Sequence, residues 1–297
     1  MRFILQSPLK RRIFGGLMVA LAAAALIPIV MVARIAIGTR NYHEALTAFH
    51  QNHYDQAFSL FEKAADYGNS NAMTFLGTLY DRGQYETKNY DAAMQWYLKA
   101  ADKGNSFAML NMGLLYEDGK GVPQSYPEAM NWYQKSAALE NAEAMRNIGL
   151  MYRHGRGVPQ NYEQAMLWYK KAAKLGNSDA MVNIGYLYSQ GKGVQQDYLG
   201  ARLWYLEAIM KNNAAGMYNF ADLCKDGKGA PQDNKTAMLY YRQAAEQNDA
   251  AAMYQIGDLY AKGNGVGKNI PTAIIWWKKA AALGNKDAIA ALKKNVK

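Results

Sequence analysis

The chain has 297 residues, half of them apolar and 12% aromatic, so it can bury a substantial core. Its net charge of +10 comes mainly from residues 1–40, which hold six basic residues and no acid. The other 257 residues carry 28 basic and 24 acidic side chains, an ordinary balance for a soluble surface. We therefore expect no nucleic-acid partner. Because Cys224 is the only cysteine, a disulfide within the chain is excluded.

The N-terminal segment is typical of a membrane anchor. Residues 1–12 form a basic tail, and residues 13–33 form an uncharged run of 21 residues. Such a helix spans about 30 Å, the thickness of the hydrocarbon core, so we expect a single transmembrane anchor over residues 13–35. The positive charge before the run predicts a cytoplasmic N-terminus and an inner-membrane protein with a periplasmic C-terminal part. The alternative is a signal peptide whose cleavage yields a secreted protein.

Residues 38–67 predict an atypical helix hairpin. Its second helix matches residues 36 positions later in the chain, as Tyr54, Ala57 and Phe61 show. Its first helix lacks the alanine, methionine and glycine pattern of the later repeats. We expect this hairpin to act as the N-terminal cap of a repeat array.

Residues 68–285 consist of six units of 36 residues. A small residue recurs every 36 positions in the first half of each unit and once more after the last unit. These residues are Ala72, Ala108, Ala144, Ala180, Gly216, Ala252 and Ala288. An aromatic residue marks the second half, at Trp96, Trp132, Trp168, Trp204, Tyr240 and Trp276. Apolar residues near the small residue and near the aromatic residue are spaced by three and four positions. This spacing predicts two amphipathic helices per unit.

Turn and capping residues separate these helices. A Gly-x-Gly pair follows the first helix, for example at residues 155–157, and permits the backbone to reverse. An amide or carboxylate side chain precedes the first helix of each of the six units, and also the helix that follows the last unit, and is predicted to cap it; these residues are Asn69, Asn105, Asn141, Asn177, Asn213, Asp249 and Asn285. Residues 286–297 begin one more helix and end in a lysine-rich tail, a predicted C-terminal cap.

The combined motif resembles the Sel1-like repeat family, which is related to the tetratricopeptide repeats. The resemblance rests on A-M-x-x-I/M-G-x-x-Y, G-x-G-V and A-x-x-W-Y-x-K-A-A at fixed offsets over roughly residues 53–292. It implies an all-α protein, a right-handed α/α solenoid whose first helices line a concave surface. It also implies a protein–protein interaction or adaptor role, in bacterial envelopes or in the endoplasmic reticulum. Together with the predicted anchor, it suggests a membrane-anchored bacterial member.

An amide recurs at one position of the first helix. These residues, which we call the amide ladder, are Asn111, Asn147, Asn183, Asn219 and Gln255. In related tetratricopeptide repeats the matching asparagine faces the groove and holds a peptide backbone, a role that suits an amide because it both donates and accepts. The alternative is that the amides bond neighbouring helices and stabilise the stack.

Side chains one helical step from the ladder are expected to share the same groove. They are Arg146, Arg153, Tyr186, Tyr218, Lys225 and Tyr254. The two arginines are suited to an acidic or C-terminal carboxylate group, and the tyrosines to apolar contact. The alternative is that all six are ordinary surface residues.

No pattern predicts catalysis or a cofactor. The Gly-x-Gly pairs recur without a preceding strand, which favours turns over phosphate binding, and His50 and His53 lack a third metal ligand. We therefore predict a membrane-anchored scaffold that binds a peptide or protein, with no catalytic residue, metal or cofactor. The alternatives are an immunity protein or regulator that inhibits a toxin or a cell-wall enzyme, and a repeat array that mainly self-associates.

Overall fold

The structure, a computed structural model, describes residues 30–84 and 87–295, and within these ranges it contains fifteen helices and no strand. The all-α repeat prediction is thereby confirmed. Most of the predicted anchor, residues 13–29, lies outside the described residues, and none of the helices described is both long and apolar enough to cross a bilayer. The chain divides into two compact units, Met1–Gln124 and Ser125–Lys297.

The described part of the first unit contains five helices. They are α1 (residues 30–50), α2 (Tyr54–Asp66), α3 (Ser70–Arg82), α4 (Tyr90–Ala101) and α5 (Ser106–Asp118). The segment predicted as an atypical hairpin comprises most of α1 and all of α2. Phe61 of α2 is fully buried and stacks on Phe75 of α3 with ring centroids 4.3 Å apart, which attaches this hairpin to the next helix.

The second unit contains ten helices. They are α6 (Tyr126–Ala138), α7 (Ala142–His154), α8 (Tyr162–Lys174), α9 (Ser178–Gln190), α10 (Tyr198–Met210), α11 (Ala214–Asp226), α12 (Asn234–Glu246), α13 (Ala250–Lys262), α14 (Ile270–Ala282) and α15 (Lys286–Asn295). Each helix packs on the next, and α9 also contacts α11. The hairpins α7–α8, α9–α10, α11–α12 and α13–α14 therefore stack in sequence, as repeats that bury their apolar faces against neighbours must.

The predicted caps are confirmed, and several of them also join consecutive repeats. Each of the seven side chains accepts a hydrogen bond from a backbone N–H in the first turn of its helix. In the second unit, Asn177 Nδ2 also donates to Glu143 Oε1 at 2.8 Å, and Asn213 Nδ2 donates to Asp179 Oδ1 at 2.7 Å. One asparagine thus starts a helix and ties it to the preceding first helix.

A glycine of the first helix permits the close packing within a hairpin. A Cβ at Gly149 would lie 2.5 Å from Cε1 of Tyr169, a fully buried ring on the partner helix. The same distance separates Gly185 from the Tyr205 ring and Gly257 from the Trp277 ring. In these three hairpins the glycine and the second aromatic therefore pack as a pair, since glycine lets the backbone approach the ring this closely.

Candidate binding face of the first helices

The amide ladder of the second unit runs along α7, α9, α11 and α13. Asn147 is 8% exposed, and Asn183, Asn219 and Gln255 are half-buried. We call the side of these four helices that carries the ladder the ladder face. Asn111 belongs to the first unit, where it is half-buried on α5 near the Tyr97 hydroxyl.

Two ladder amides bond the preceding repeat. Asn183 Oδ1 accepts from Arg153 Nη1 at 3.0 Å, and Gln255 Oε1 accepts from Lys225 Nζ at 3.2 Å. Both bonds join residues 30 positions apart on consecutive first helices. This is the stabilising role that the sequence left open as the alternative, and it engages the amide oxygen while the NH2 group remains a donor.

The other two ladder amides of this unit bond within their own helix. Asn147 Oδ1 accepts from Arg146 Nη1 at 3.1 Å. Asn219 Nδ2 donates to the Ala215 carbonyl at 2.7 Å. The ladder is therefore not chemically uniform: three of its amide oxygens accept from a cation, and Asn219 bonds the backbone.

Cations converge at the α7–α9 end of the ladder face. The Arg153 guanidinium lies 4.2 Å from the centroid of the Tyr186 ring, a cation–π contact. Lys192 Nζ donates to the Tyr186 hydroxyl at 3.2 Å, and this bond lowers the pKa of Tyr186. We call Arg146, Arg153, Tyr186 and Lys192 the arginine cluster. Lys192 was missed by sequence reasoning because it lies in the Gly-x-Gly turn rather than on the helix.

Two carboxylates only partly balance this cluster. Arg146 Nη1 lies 3.8 Å from Glu143 Oε2, and Arg146 Nε lies 3.8 Å from Asp179 Oδ2. Both carboxylates already accept bonds from capping asparagines. Arg146 Nε is buried and has no hydrogen-bond partner among the described residues. An N–H group in that position favours an additional acceptor, and an anionic one suits a cluster with three cations.

The same cluster influences a buried tyrosine. Burial raises the pKa of Tyr169 to about 12, and the nearby Arg153 guanidinium opposes that rise. The cation therefore lies close to the interior of the hairpin as well as to its surface.

A second cluster lies on α11 and carries its own anion. The hydroxyl of the buried Tyr241 donates to Asp222 Oδ1, and Lys225 Nζ lies 3.0 Å from the same oxygen. The Tyr218 ring lies 5.8 Å from the Tyr241 ring, and burial raises the pKa of Tyr218. We call Tyr218, Asp222, Lys225 and Tyr241 the aspartate cluster. Sequence reasoning missed Asp222, whose signal is the change from Leu150 and Tyr186 to a carboxylate at this repeat position, which the next repeat shares.

Tyr254 lies apart from both clusters. It is half-buried on α13 and lines a cleft of about 520 Å³ with Trp277 and Asp287. Burial raises the pKa of Tyr254, and Asp258 adds to the rise. The structure thus distributes the predicted binding residues over three places rather than one.

Neither a metal site nor an activated thiol is found among the described residues. Among them, no three His, Cys, Asp or Glu side chains are placed to hold a metal ion. Cys224 is buried, and burial raises the pKa of its thiol, which disfavours the reactive thiolate. Arg202 Nη1 donates a hydrogen bond to Cys224 Sγ at 3.3 Å, which opposes this rise without cancelling it.

The repeats match a known family model. The model described as the Sel1 repeat matches seven segments, at residues 51–69, 70–105, 106–141, 142–177, 178–213, 214–249 and 250–285. No protein of the curated set matches the chain significantly in sequence.

Solved structures from bacteria are similar to the chain. A Sel1 repeat protein from Oxalobacter formigenes is 31% identical with a TM-score of 0.77, over 82% of this chain and 99% of that one. A protective antigen of uropathogenic Escherichia coli with an SLR fold is 30% identical with a TM-score of 0.67, over 86% of this chain and 56% of that one. The match thus spans little more than half of that antigen. An immunity protein from Pseudomonas aeruginosa is 19% identical with a TM-score of 0.52, over 74% and 83%, and shares the fold alone.

Proposed function

Because the chain belongs to the Sel1 repeat family, we propose that it is a non-catalytic interaction scaffold that binds a protein or peptide on its ladder face. We further propose that the apolar run at residues 13–33 anchors it in the inner membrane, with the repeats in the periplasm. Sel1 repeats generally mediate protein–protein contacts, and the buried apolar stack leaves the polar ladder face available for a partner.

The observation that carries the proposal is the charge imbalance of the arginine cluster. Of the three cations, Arg146 lies near two carboxylates, and both already accept hydrogen bonds from capping asparagines. Its Nε is buried without a hydrogen-bond partner among the described residues. Tyr186 adds an aromatic surface beside these cations. A carboxylate from a partner, either an acidic side chain or a C-terminus, would satisfy the N–H group and neutralise the cluster.

Photo-crosslinking in native membranes tests this function. A photoreactive residue replaces Leu150, which is half-buried on α7 within the ladder face. We expect a crosslinked partner that is lost, or reduced about tenfold or more, in the Arg146→Ala, Arg153→Ala double variant, because a hydrogen bond to a charged group contributes about 1.5–3 kcal/mol. Lys262→Ala is the matched control, since Lys262 is exposed on α13 and forms an ion pair with Asp258, four positions earlier on the same helix.

The amide ladder is tested separately with Asn147→Ala plus Asn183→Ala. If every crosslink survives this double change while the arginine variant abolishes them, the amides are structural and the cations bind the partner. If both variants retain every crosslink, the ladder face is not the binding face.

The alternative function is an immunity protein or a regulator that inhibits a toxin or a cell-wall enzyme. Its support is the shared fold with the Pseudomonas aeruginosa immunity protein, which at 19% identity carries no residue roles. Identification of the crosslinked partner separates the two functions. A toxin or hydrolase whose activity falls on addition of the purified chain would favour the inhibitor.

A further inference from the structure

The second helices of four successive hairpins expose one large apolar side chain at the same repeat position. These residues, which we call the apolar row, are Leu167 on α8, Leu203 on α10, Leu239 on α12 and Ile275 on α14, and they are 48%, 58%, 53% and 55% exposed. The equivalent residue on α6 is the polar Asn131. Because equivalent positions of stacked hairpins lie side by side, the four side chains form a line across the second helices.

The line broadens on α10. Leu199 and Met210 are 59% and 70% exposed, and they lie four positions before and seven positions after Leu203. These spacings place all three side chains on one side of the helix. The exposed apolar surface therefore runs along α10 as well as across the four helices, and it is separate from the ladder face of the first helices.

Basic residues surround the apolar row. Helices α8, α10, α12 and α14 contain eight basic and three acidic residues, a net charge of +5. Helices α7, α9, α11 and α13 contain four basic and five acidic residues, a net charge of −1. The exposed Lys170, Lys171 and Lys174 lie three, four and seven positions after Leu167, so they share its side of α8.

Tryptophan and lysine are paired on the same helices. Lys171 Nζ lies 4.0 Å from the Trp168 ring centroid, and Lys279 Nζ lies 4.6 Å from that of Trp276. Tryptophan with nearby lysine is typical of side chains at the boundary between lipid and water, where the ring and the charge occupy adjacent layers.

We propose that the apolar row docks this side of the second unit onto an anionic membrane surface. Leucine, isoleucine and methionine would enter the headgroup layer, while the lysines contact lipid phosphates. Six of the eight basic residues are lysines, which are depleted at protein–protein interfaces, so a membrane fits this surface better than a protein partner does. The proposal adds a lipid contact to a binding function that uses the opposite set of helices.

A fluorescent reporter in the full chain tests this docking. An environment-sensitive dye is attached to Leu203→Cys, and the protein is reconstituted into vesicles of phosphatidylcholine with or without phosphatidylglycerol. Cys224 is buried, so the dye reacts at the introduced thiol. We expect a blue shift with phosphatidylglycerol only. The control position is Ala215→Cys, exposed on α11 of the first-helix set, where neither lipid should shift the dye.

Charge reversal near the row provides the second measurement. Lys170→Glu, Lys171→Glu and Lys174→Glu together should lower membrane insertion of the dye by at least about fivefold per charge, given the attraction of each basic residue to an anionic surface. Lys262→Glu on α13 is the matched control and should change nothing. Circular dichroism verifies that each variant is folded.

Three results would overturn the proposal. The first is a spectrum that is the same in both lipids. The second is a shift in lipid-free detergent solution that grows with protein concentration, which assigns the row to a second copy of the chain. The third is a shift caused by soluble polyglutamate but not by vesicles, which assigns it to an acidic protein.

Discussion

The hairpins α7–α8 and α11–α12 have the same fold and opposite chemistry on the ladder face. Where the first has Gly149 and Leu150, the second has Ala221 and Asp222. In the first, the buried Tyr169 lies beside a cation, whereas in the second the buried Tyr241 donates to a carboxylate. Helix bounds are nevertheless equivalent, with thirteen residues in each of the four helices.

The difference shows that fold and recognition are encoded at separate positions of the repeat. Small residues and the second aromatic determine how the two helices pack. Positions on the ladder face vary, and they decide whether a hairpin presents an unbalanced cation or neutralises its own charge. In the arginine cluster, Arg146 Nε has no hydrogen-bond partner among the described residues, whereas Asp222 already pairs with Lys225.

The largest expected effect is alkaline destabilisation through the buried tyrosines. Burial raises the pKa of Tyr169 to about 12, above the value of about 10 in an unfolded chain. The neutral hydroxyl therefore contributes fully to stability below pH 10, and this contribution is lost as the pH rises to about 12. A shift of this size corresponds to about 2–3 kcal/mol.

Urea unfolding between pH 8 and pH 12 measures this loss. Tyr169→Phe should show a smaller fall in the free energy of unfolding than the wild type, and the exposed Tyr54→Phe should match the wild type. In the other hairpin, Asp222 raises the pKa of Tyr241 further, so absorbance titration should detect ionisation of Tyr169 first. Ionisation of Tyr241 before Tyr169 would contradict the proposed electrostatic difference.

The next prediction compares how tightly the two hairpins are packed. Gly149→Ala places a methyl group 2.5 Å from the Tyr169 ring and should destabilise the protein by about 1–3 kcal/mol through overpacking. The reciprocal Ala221→Gly should cost only about 0.5–1 kcal/mol, mainly through backbone entropy. Urea midpoints of both variants make the comparison. Equal losses would mean that Gly149 is not required by the ring.

Much of the fold follows from the sequence because its determinants are local and repeated. The register of 36 residues, the capping asparagines and the small residues all predict helices that the structure contains. The link between Gly149 and Tyr169 was not predicted, since it depends on how closely two helices approach. The bonds by which capping asparagines join consecutive repeats, such as that from Asn177 to Glu143, were also not predicted.

The candidate site was less predictable than the fold. The amide ladder was found by its period, but its hydrogen bonds depend on residues 30 positions away, such as Arg153 for Asn183. Lys192 occupies a turn position that is basic in four successive repeats, but the sequence does not show that its side chain reaches Tyr186. The partners of Asp222 likewise depend on how the helices pack. The right-handed twist, the membrane anchor and the binding role remain predictions.

A smaller effect is expected when the anion of the aspartate cluster is removed. Asp222→Leu introduces the residue type found at the matching position 150 and leaves the buried Tyr241 hydroxyl without its acceptor. We expect a loss of about 1–2 kcal/mol in the free energy of unfolding. Asp222→Asn retains an acceptor and should cost less. Equal stability of the leucine variant and the wild type would show that Asp222 does not stabilise the fold.

The smallest effect concerns how the arginine cluster is held. Arg153→Lys preserves the charge but loses the planar group over the Tyr186 ring and the bond to Asn183, so it should lower stability by about 0.5–1 kcal/mol. Lys192→Ala should instead raise the pKa of Tyr186 towards its ordinary value, because the Lys192 bond is the main cause of its lowering. NMR titration of the Tyr186 ring distinguishes the two variants. A larger rise of the Tyr186 pKa in Arg153→Lys than in Lys192→Ala would contradict this assignment. The Arg153 guanidinium, rather than Lys192, would then be the main cause of the lowered pKa.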